Sequence, residues 1–595
     1  MPNPRISVIV PVWNEQTRIE KCLESLQKQS FTDFEAIVVN DGSTDDSKKI
    51  IEEKFCSKDF RFKYHEMETN SGIGATLNHG FSQAKGNLLT WTSADSWVSP
   101  EYLDELKKAL DANPDKVMAY GNWFIHDDVD DGRETFITVP EFDRKKLQVR
   151  CEVGPCWLFR REAKEKAGPY CTEICEDYYM HLMMAGVGDF MKVDKTLGCW
   201  RNHKDNATNR INIPNKWYMS SVVKAKARWK QAKYKIAYLC PNLDAASVGW
   251  MLMNAINDMS ENFAVRHILG DSTHLTPGTD LKLYTKDNDP ALILESLEVL
   301  KECDIVHINN EFPDFNPEVF KIIKDKPMII HMHAGPKQWY VEKMNHWKAQ
   351  GVDVYTCTPG HELAEWIPNF VPITNGLNIT YEEYYTPIQR DNQKLKMVCH
   401  HNYLAGKGTI QLVDLITGLD QTFYNFKIHD LMEWSISGTL KMPLFDHLML
   451  KKHIDLCFDT ITHGYCGMAT WESMAQATAV ICKMDELTMK EYRKFFGSVP
   501  PIMNVRILDD VVAHFRNLIA NKSLAREMGE ANREWMMQNY NAERILDFHE
   551  SIYIKAINGR IQQRQSPVPY RETQHFEGWG TAVSNSRSSD HIRLL

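Results

Sequence analysis

Short apolar runs alternate with amphipathic segments along most of the chain. Near the start, "ISVIVPV" (6–12) is a run rich in Ile and Val that predicts a buried strand. "EKCLESLQKQ" (20–29) spaces its apolar residues at i, i+3 and i+4, as a helix does, and "FEAIVVNDG" (34–42) reads as a second strand ending in a turn. Further strand-like runs stand at "NLLTWTS" and "VMAYGNWFI". Strand, helix and strand in succession favour a parallel sheet with right-handed crossovers. The pattern restarts at "YKIAYLCPN", with strand-like runs at "DIVHINNE", "PMIIHMHAG", "DVYTCTP" and "VPITNGLN". Beyond a polar break at 385–394 it continues at "LKMVCHHNY", "IDLCFDTI" and "TAVICKM". Two consecutive parallel-sheet units predict two facing lobes of nucleotide-binding type.

Between the two halves, "KWYMSSVVKAKARWKQAKYK" carries seven basic residues from Lys216 to Lys235 on a helix-compatible pattern. Two readings stay open for it: a membrane-surface helix, or a connector whose aromatics dock on a neighbouring domain. The end of the chain, 559–595, is poor in aliphatics and rich in Ser, Arg and Gln, which predicts a disordered tail.

Composition narrows the class. With 595 residues, 43% hydrophobic and 25% charged, the chain has material for several soluble globular units. Its net charge of −10 opposes nucleic acid and anionic membranes unless a local patch overrides it, and the basic stretch is the one candidate patch. No segment reaches the roughly 18 apolar residues of a membrane span. "MPNPRISVIVPVW" lacks the basic leader, apolar core and cleavage site of a signal peptide. The expected location is cytoplasmic, with peripheral membrane contact left open by the basic segment. The 14 cysteines are scattered rather than dense, which predicts buried thiols, and Cys171 and Cys175 lack the second close pair that zinc requires.

Candidate chemistry gathers at strand ends. In "LLTWTSADSWVSP" an apolar run stops at a lone carboxylate, Asp95, flanked by Ser93 and Ser96. The carboxyl ends of parallel strands are where open α/β sheets bind ligands, although Asp also commonly serves its own turn. Glu15 and Asp41 stand at two further strand ends. Glu176 and Asp177 open a helical pattern, a position that the helix dipole also favours for acids.

The series "SVIVPVWNE", "VVNDGSTDDS", "NSGIGATLNHG", "TSADS" and "CEDYYMHLMMAG", in that order, closely resembles family 2 glycosyltransferases with the GT-A fold over about residues 5–205. The resemblance implies that Asp95 holds Mg²⁺ or Mn²⁺ against the diphosphate of a nucleotide sugar. It implies that Asp41 hydrogen-bonds the pyrimidine ring, with Pro11 and Glu15 lining that pocket. Asp177, beside Glu176, becomes the general base that deprotonates an acceptor hydroxyl in an inverting transfer. His203 either completes the metal shell or is an ordinary surface histidine. Ser93 and Ser96 stand where many relatives have acids; one carboxylate is compatible with Mg²⁺, which takes only one or two from the protein.

From about 235 to 550, "DIVHINNE", "IIHMHAG", "VPITNGLN", "YLAGKGT" and "GYCGMATWESMAQATAVI" resemble GT-B glycosyltransferases of the family 4 type. That resemblance implies Lys407 for the diphosphate, Glu472 at the opening of a helix for the donor ribose, and His333, with His331 as a rival, near the transferred sugar. His401 and Gly464 stand where those relatives have an arginine and a glutamate that contact the donor, so this half either uses an unusual donor or no longer transfers. The expected architecture is α/β: a GT-A domain at 1–205, a basic helical connector at 206–234, GT-B lobes of Rossmann type at 235–390 and 391–558, and the tail. The expected function is sugar transfer from a nucleotide sugar to a hydroxyl of a glycan or other acceptor, with a second active site as an extension. The alternatives are a carbohydrate-binding or scaffold protein with degenerate transferase folds, and a transferase acting on modified nucleic acid.

Overall fold

The computed structural model describes residues 3–129, 132–172, 175–206, 213–240, 248–269, 281–282, 290–309, 317–331, 342, 349, 354–357, 387–390, 396–399, 427–428, 448–449, 451–459, 466–521 and 523–558. The β-branched runs at the start become β1 (Ile6–Val12) and β2 (Phe34–Asn40), every residue of β2 being buried. With β3 (Phe62–Glu66) and β4 (Leu88–Trp91) they form the parallel part of a nine-stranded sheet, in the order β3-β2-β1-β4. Strands buried on both faces need cover on both sides, and helices supply it. Ile6, Val8 and Val10 meet Leu23 and Leu26 of α1 (Ile19–Gln27), while Ile9 and Val39 cluster with Leu77 and Phe81 further along the chain.

The expected parallel order stops at β4. The sheet continues β8-β6-β9-β5, with β5 (Trp97–Val98), β6 (Met118–Asp127), β8 (Trp157–Arg160) and β9 (Phe190–Asn202), and β7 (Glu134–Ile137) pairs with β6. β8 runs antiparallel to both β4 and β6, so the sheet is mixed. The regular alternation of strand and helix ends after β4, and β6 folds back directly into β7 as a hairpin, whose return is necessarily antiparallel.

Two wholly parallel sheets follow. The first has β10 (Tyr234–Cys240), β11 (Phe263–Leu269), β12 (Leu281–Lys282), β13 (Ile305–Asn309), β14 (Met328–His331) and β15 (Val354–Cys357), ordered β12-β11-β10-β13-β14-β15. The second has β16 (Lys396–Cys399), β17 (Lys427–Ile428), β18 (Leu456–Phe458), β19 (Ala479–Cys482) and β20 (Met503–Asn504), ordered β17-β16-β18-β19-β20. The strand-like runs read in this half fall on β10, β13, β14, β15, β16, β18 and β19, whereas "VPITNGLN" and the 559–595 tail lie outside the described residues. The last helix, Ala542–Ile557, returns to the first of these two sheets: Tyr553 Oη lies 2.8 Å from His307 Nδ1, and Ser260 Oγ donates to Glu550 at 2.5 Å.

The basic stretch forms the helix Ile213–Gln231 and the start of β10. Its side chains are engaged inside the protein, which favours the connector reading over a membrane-surface helix. Lys224 pairs with Asp258, both nearly excluded from solvent. Lys226 and Lys235 pair with Glu295 at 3.4 Å and Glu302 at 2.9 Å, and Arg228 donates to the Ser260 carbonyl. Trp229 is buried and donates its indole N–H to Glu302 at 2.9 Å. On the other side Lys230 donates to Tyr179 Oη at 2.8 Å and Gln231 to the Leu182 carbonyl at 2.9 Å. Three of the seven cations of this stretch, Lys224, Lys226 and Lys235, thus have acidic partners within the protein. Among the described residues no helix is long and apolar enough to cross a membrane.

Asp258→Ala strands the Lys224 charge in the interior. Breaking a buried pair from one side costs about 3–5 kcal/mol, so calorimetry of the full chain should show a large fall in the thermal midpoint; a midpoint within a degree of wild type would contradict the engagement of this helix.

Candidate active site

β1 and β4 are neighbours in register, Ile9 lying beside Trp91, so the loops that leave them run side by side at the carboxyl end of the parallel strands. Glu15 is on one loop and Asp95 on the other. His203, just beyond the end of β9, comes to the same place, and ligand atoms of the three side chains all lie within 4.8 Å of one another. Among the described residues this is the one such grouping of three His, Cys, Asp or Glu side chains. His203 is 3% exposed, which removes the surface-histidine reading. Glu15, which the resemblance placed in the nucleotide pocket, thus has its carboxylate beside Asp95.

Asp95 is held by donors on both oxygens. Ser96 Oγ donates to Oδ1 at 2.8 Å; Asn206 Nδ2 donates to Oδ2 at 3.1 Å, and His203 Nε2 lies 3.0 Å from Oδ2. Burial opposes its charge, but hydrogen bonds from His203, Ser93 and Ser96 outweigh it, and the carboxyl stays below its ordinary pKa. The two serines that replace acids therefore supply donors to the remaining one. Glu15 moves the other way: burial raises its pKa, against the bond donated by Arg18 at 3.0 Å, with the Asp95 charge adding to the rise. Arg18 also reaches Asp205 at 3.0 Å and so ties the β1 loop to the segment that carries His203.

Two carboxylates and one imidazole converging from three segments fit a divalent cation, since an ionised oxygen donor is already fixed at the centre. The proton on Nε2 satisfies the present contacts of His203, because Nδ1 accepts from Asp205 N–H at 3.3 Å while Nε2 faces Asp95. Ligation through Nε2 would require that proton to move to Nδ1, displacing the present contacts of both nitrogens.

Asp41 closes β2. Its two oxygens accept backbone N–H bonds from Ser71 at 2.8 Å and Gly72 at 3.0 Å, fixing the loop before the helix Ile73–Gln83. Gly42 makes this close approach feasible: its φ is +67°, and a Cβ there would meet the Asn70 nitrogen at 2.9 Å. Pro11 lies within β1 opposite Val39.

Glu176 and Asp177 begin the helix Glu176–Val187. The residue before them, Cys175, has φ 73° in the left-handed region, and its sulfur lies 3.8 Å from Ser220 Oγ of the connector helix. Both residues are half-buried. Burial raises the pKa of both; for Asp177 the Glu176 charge adds to the rise, and a hydrogen bond from Trp91 opposes it. That bond runs from Trp91 Nε1 to Asp177 Oδ1 at 2.9 Å.

In the second half, Glu472 does not open its helix. It is the fifth residue of Met468–Ala475, is 4% exposed, and accepts from Lys451 Nζ at 2.8 Å in a buried ion pair. Asp459, at the end of β18, receives the opening of that helix instead, accepting from Gly467 N–H at 2.8 Å and Thr470 Oγ1 at 2.7 Å. His331 is buried at the end of β14, its Nδ1 3.5 Å from Tyr238 Oη. Lys407, His333, His401 and Gly464 lie outside the described residues.

An α/β sheet with acids at the carboxyl ends of adjoining parallel strands defines, for the N-terminal part, the GT-A-like fold of nucleotide-sugar transferases. Residues 7–168 match the family described as Glycosyl transferase family 2, so the N-terminal region carries a domain of that family and supports a transferase. Among curated relatives, the putative glycosyltransferase EpsH of Bacillus subtilis (strain 168) is 38% identical over 118 residues, covering 20% of this chain and 34% of EpsH. The uncharacterized glycosyltransferase EpsJ of the same organism is 28% identical over 254 residues, covering 40% of this chain and 70% of EpsJ. Among solved structures, S. aureus TarS 1–349 in complex with UDP-GlcNAc aligns with a TM-score of 0.33 at 21% identity, covering 38% of this chain and 67% of that one. The chain spans only 34% of the length of EpsH.

The raised pKa of Asp177 has a sign that stability can test. Folding favours the protonated acid, so the contribution is full below about pH 4, the ordinary value for Asp, and is lost as pH climbs through the raised folded value. Asp177→Asn escapes that loss. Its thermal midpoint relative to wild type should improve more at pH 8 than at pH 5 by scanning calorimetry, and a difference independent of pH would refute the enclosed carboxylate.

Proposed function

We propose that the N-terminal site transfers a sugar, with inversion, from a nucleotide sugar to a hydroxyl of a glycan or another acceptor. The observation that carries this reading is that one short stretch, Trp91 to Asp95, touches both sets of acids: Trp91 contacts Asp177, and Asp95 contacts His203. Four residues span at most about 14 Å, so the cation-binding group and the proposed base lie close enough to serve one reaction. Asp95, Glu15 and His203 would hold the cation, and the imidazole favours Mn²⁺ over Mg²⁺, which prefers oxygen alone. When bound, the cation neutralises charge developing on the departing diphosphate. Asp41 and Pro11 line the nucleotide side by the family resemblance.

Asp177 takes the proton of the acceptor hydroxyl as that oxygen bonds to the anomeric carbon. The bond from that carbon to the diphosphate breaks, and the diphosphate leaves with the electron pair. The raised pKa suits a base that must hold the proton during the step. Glu176 keeps the site acidic beside it and raises the proton affinity of Asp177 through its charge.

For the second half we propose a GT-B pair of lobes. The support is two parallel sheets in series and a final helix that crosses back to the first of them through Tyr553 and Glu550. The catalytic proposal is confined to the N-terminal site, because Glu472 already has an internal partner in Lys451.

Release of nucleoside diphosphate from a panel of UDP-, GDP-, CDP- and dTDP-sugars tests the reading. Turnover should require Mn²⁺ or Mg²⁺, stop with chelator, and fall by about 10²–10⁴ in Asp177→Asn, the usual worth of a general base. Asp95→Asn should weaken Mn²⁺ binding in titration calorimetry. Absence of turnover with every donor, or full turnover in Asp177→Asn, would favour a binding or scaffold protein.

A further inference from the structure

The acids are accounted for by the reading above, but the side chain that joins them is not. Trp91 is the last residue of β4, 8% exposed, and its indole ring lies in the same apolar cluster as Leu89, Phe81 and Tyr170. A ring packed in this way has little rotational freedom, so its N–H points in a fixed direction. That direction is Asp177 Oδ1, at 2.9 Å, across a sequence separation of 86 residues. Among the described residues Trp91 is the one hydrogen-bond donor to this carboxylate, and it engages Oδ1 alone. Of the other buried groups nearby, Tyr178 Oη donates to the Leu147 and Gln148 carbonyls and His181 Nδ1 faces Cys151 at 3.5 Å, whereas Tyr170 lies beside the same indole and has its proton affinity raised by burial and by the Asp177 and Glu176 charges.

We propose that Trp91 is a positioning residue for the transfer, fixing the Asp177 carboxylate so that one oxygen is anchored and the other takes the proton, and coupling this base to the cation-binding loop four residues further on. The inference rests on Asp177 acting as the base. An indole N–H donates but cannot accept, so the anchored oxygen is not the one that is protonated. The bond also stabilises the charged form, partly offsetting the enclosure that raises its proton affinity. Because the loop that carries Asp95 leaves β4 directly after Trp91, a shift of the strand moves both sides of the site together.

Two measurements separate this inference from the reading beneath it. In the first, the chain is labelled with ¹⁵N-tryptophan, giving indole resonances from 16 residues, and the Trp91 signal is identified by its loss in Trp91→Phe. That signal should move with pH in wild type and stop moving in Asp177→Asn. A Trp91 resonance that stays fixed across the range, or follows the same curve in Asp177→Asn, overturns the inference without reference to activity. In the second, the pH profile of turnover is recorded with whichever nucleotide sugar the panel above identifies. Trp91→Phe keeps the ring but lacks the donor; its acidic limb should move up by about one to two pH units, the worth of a hydrogen bond to a charged group. KM for the donor should be unchanged. An unmoved limb, or a loss confined to KM, overturns the positioning role. A coupled titration in a chain that turns over no donor would instead strike the base assignment and leave the Trp91–Asp177 coupling standing.

Discussion

An ionised carboxylate largely withdrawn from water is the constraint around which the N-terminal site is arranged. Left alone, enclosure would protonate Asp95 and remove its use as an oxygen donor. Ser96, Asn206 and His203 prevent this by donating or facing toward its two oxygens. Each of those groups is placed by a different part of the sheet, so the charge state of one side chain depends on β4, on the end of β9 and on the turn after it. Glu15 and Arg18 close the ring from the β1 side.

The proposed base, Asp177, is governed by the opposite balance. Among the described residues only Trp91 supports the charged form of Asp177, while enclosure and the neighbouring Glu176 act against it. Two carboxylates joined by a few residues of β4 are thus pushed apart in proton affinity. That division suits one group that must stay charged beside a cation and another that must accept a proton.

Much of this was legible in the sequence, and the failures have physical causes. β1, β2 and β4 were readable because strands buried on both faces are mainly apolar, and the polar residues between their ends, Ser7, Glu35 and Thr90, stand singly. β11 escaped notice because Arg266 and His267 break its run, yet both are buried, Arg266 against Glu295 at 2.8 Å. The approach of Glu15 to Asp95 could not be read locally, because it comes from strand pairing across 80 positions rather than from spacing. The Trp91 contact is of the same kind. Glu472 read as a ligand-facing acid because sequence does not reveal that Lys451, in another segment, meets it in the interior.

The basic connector helix has a consequence for how this chain can be taken apart. It holds the base-bearing helix through Lys230 and Gln231 and the following unit through Lys224, Arg228 and Trp229, while Ser220 touches the strained residue that precedes the acids. The two halves are consequently not interchangeable cassettes. A replacement C-terminal module would have to reproduce the complementary acids and the same helix face, or the graft would leave buried cations without counter-charges and loosen the cleft it was meant to preserve.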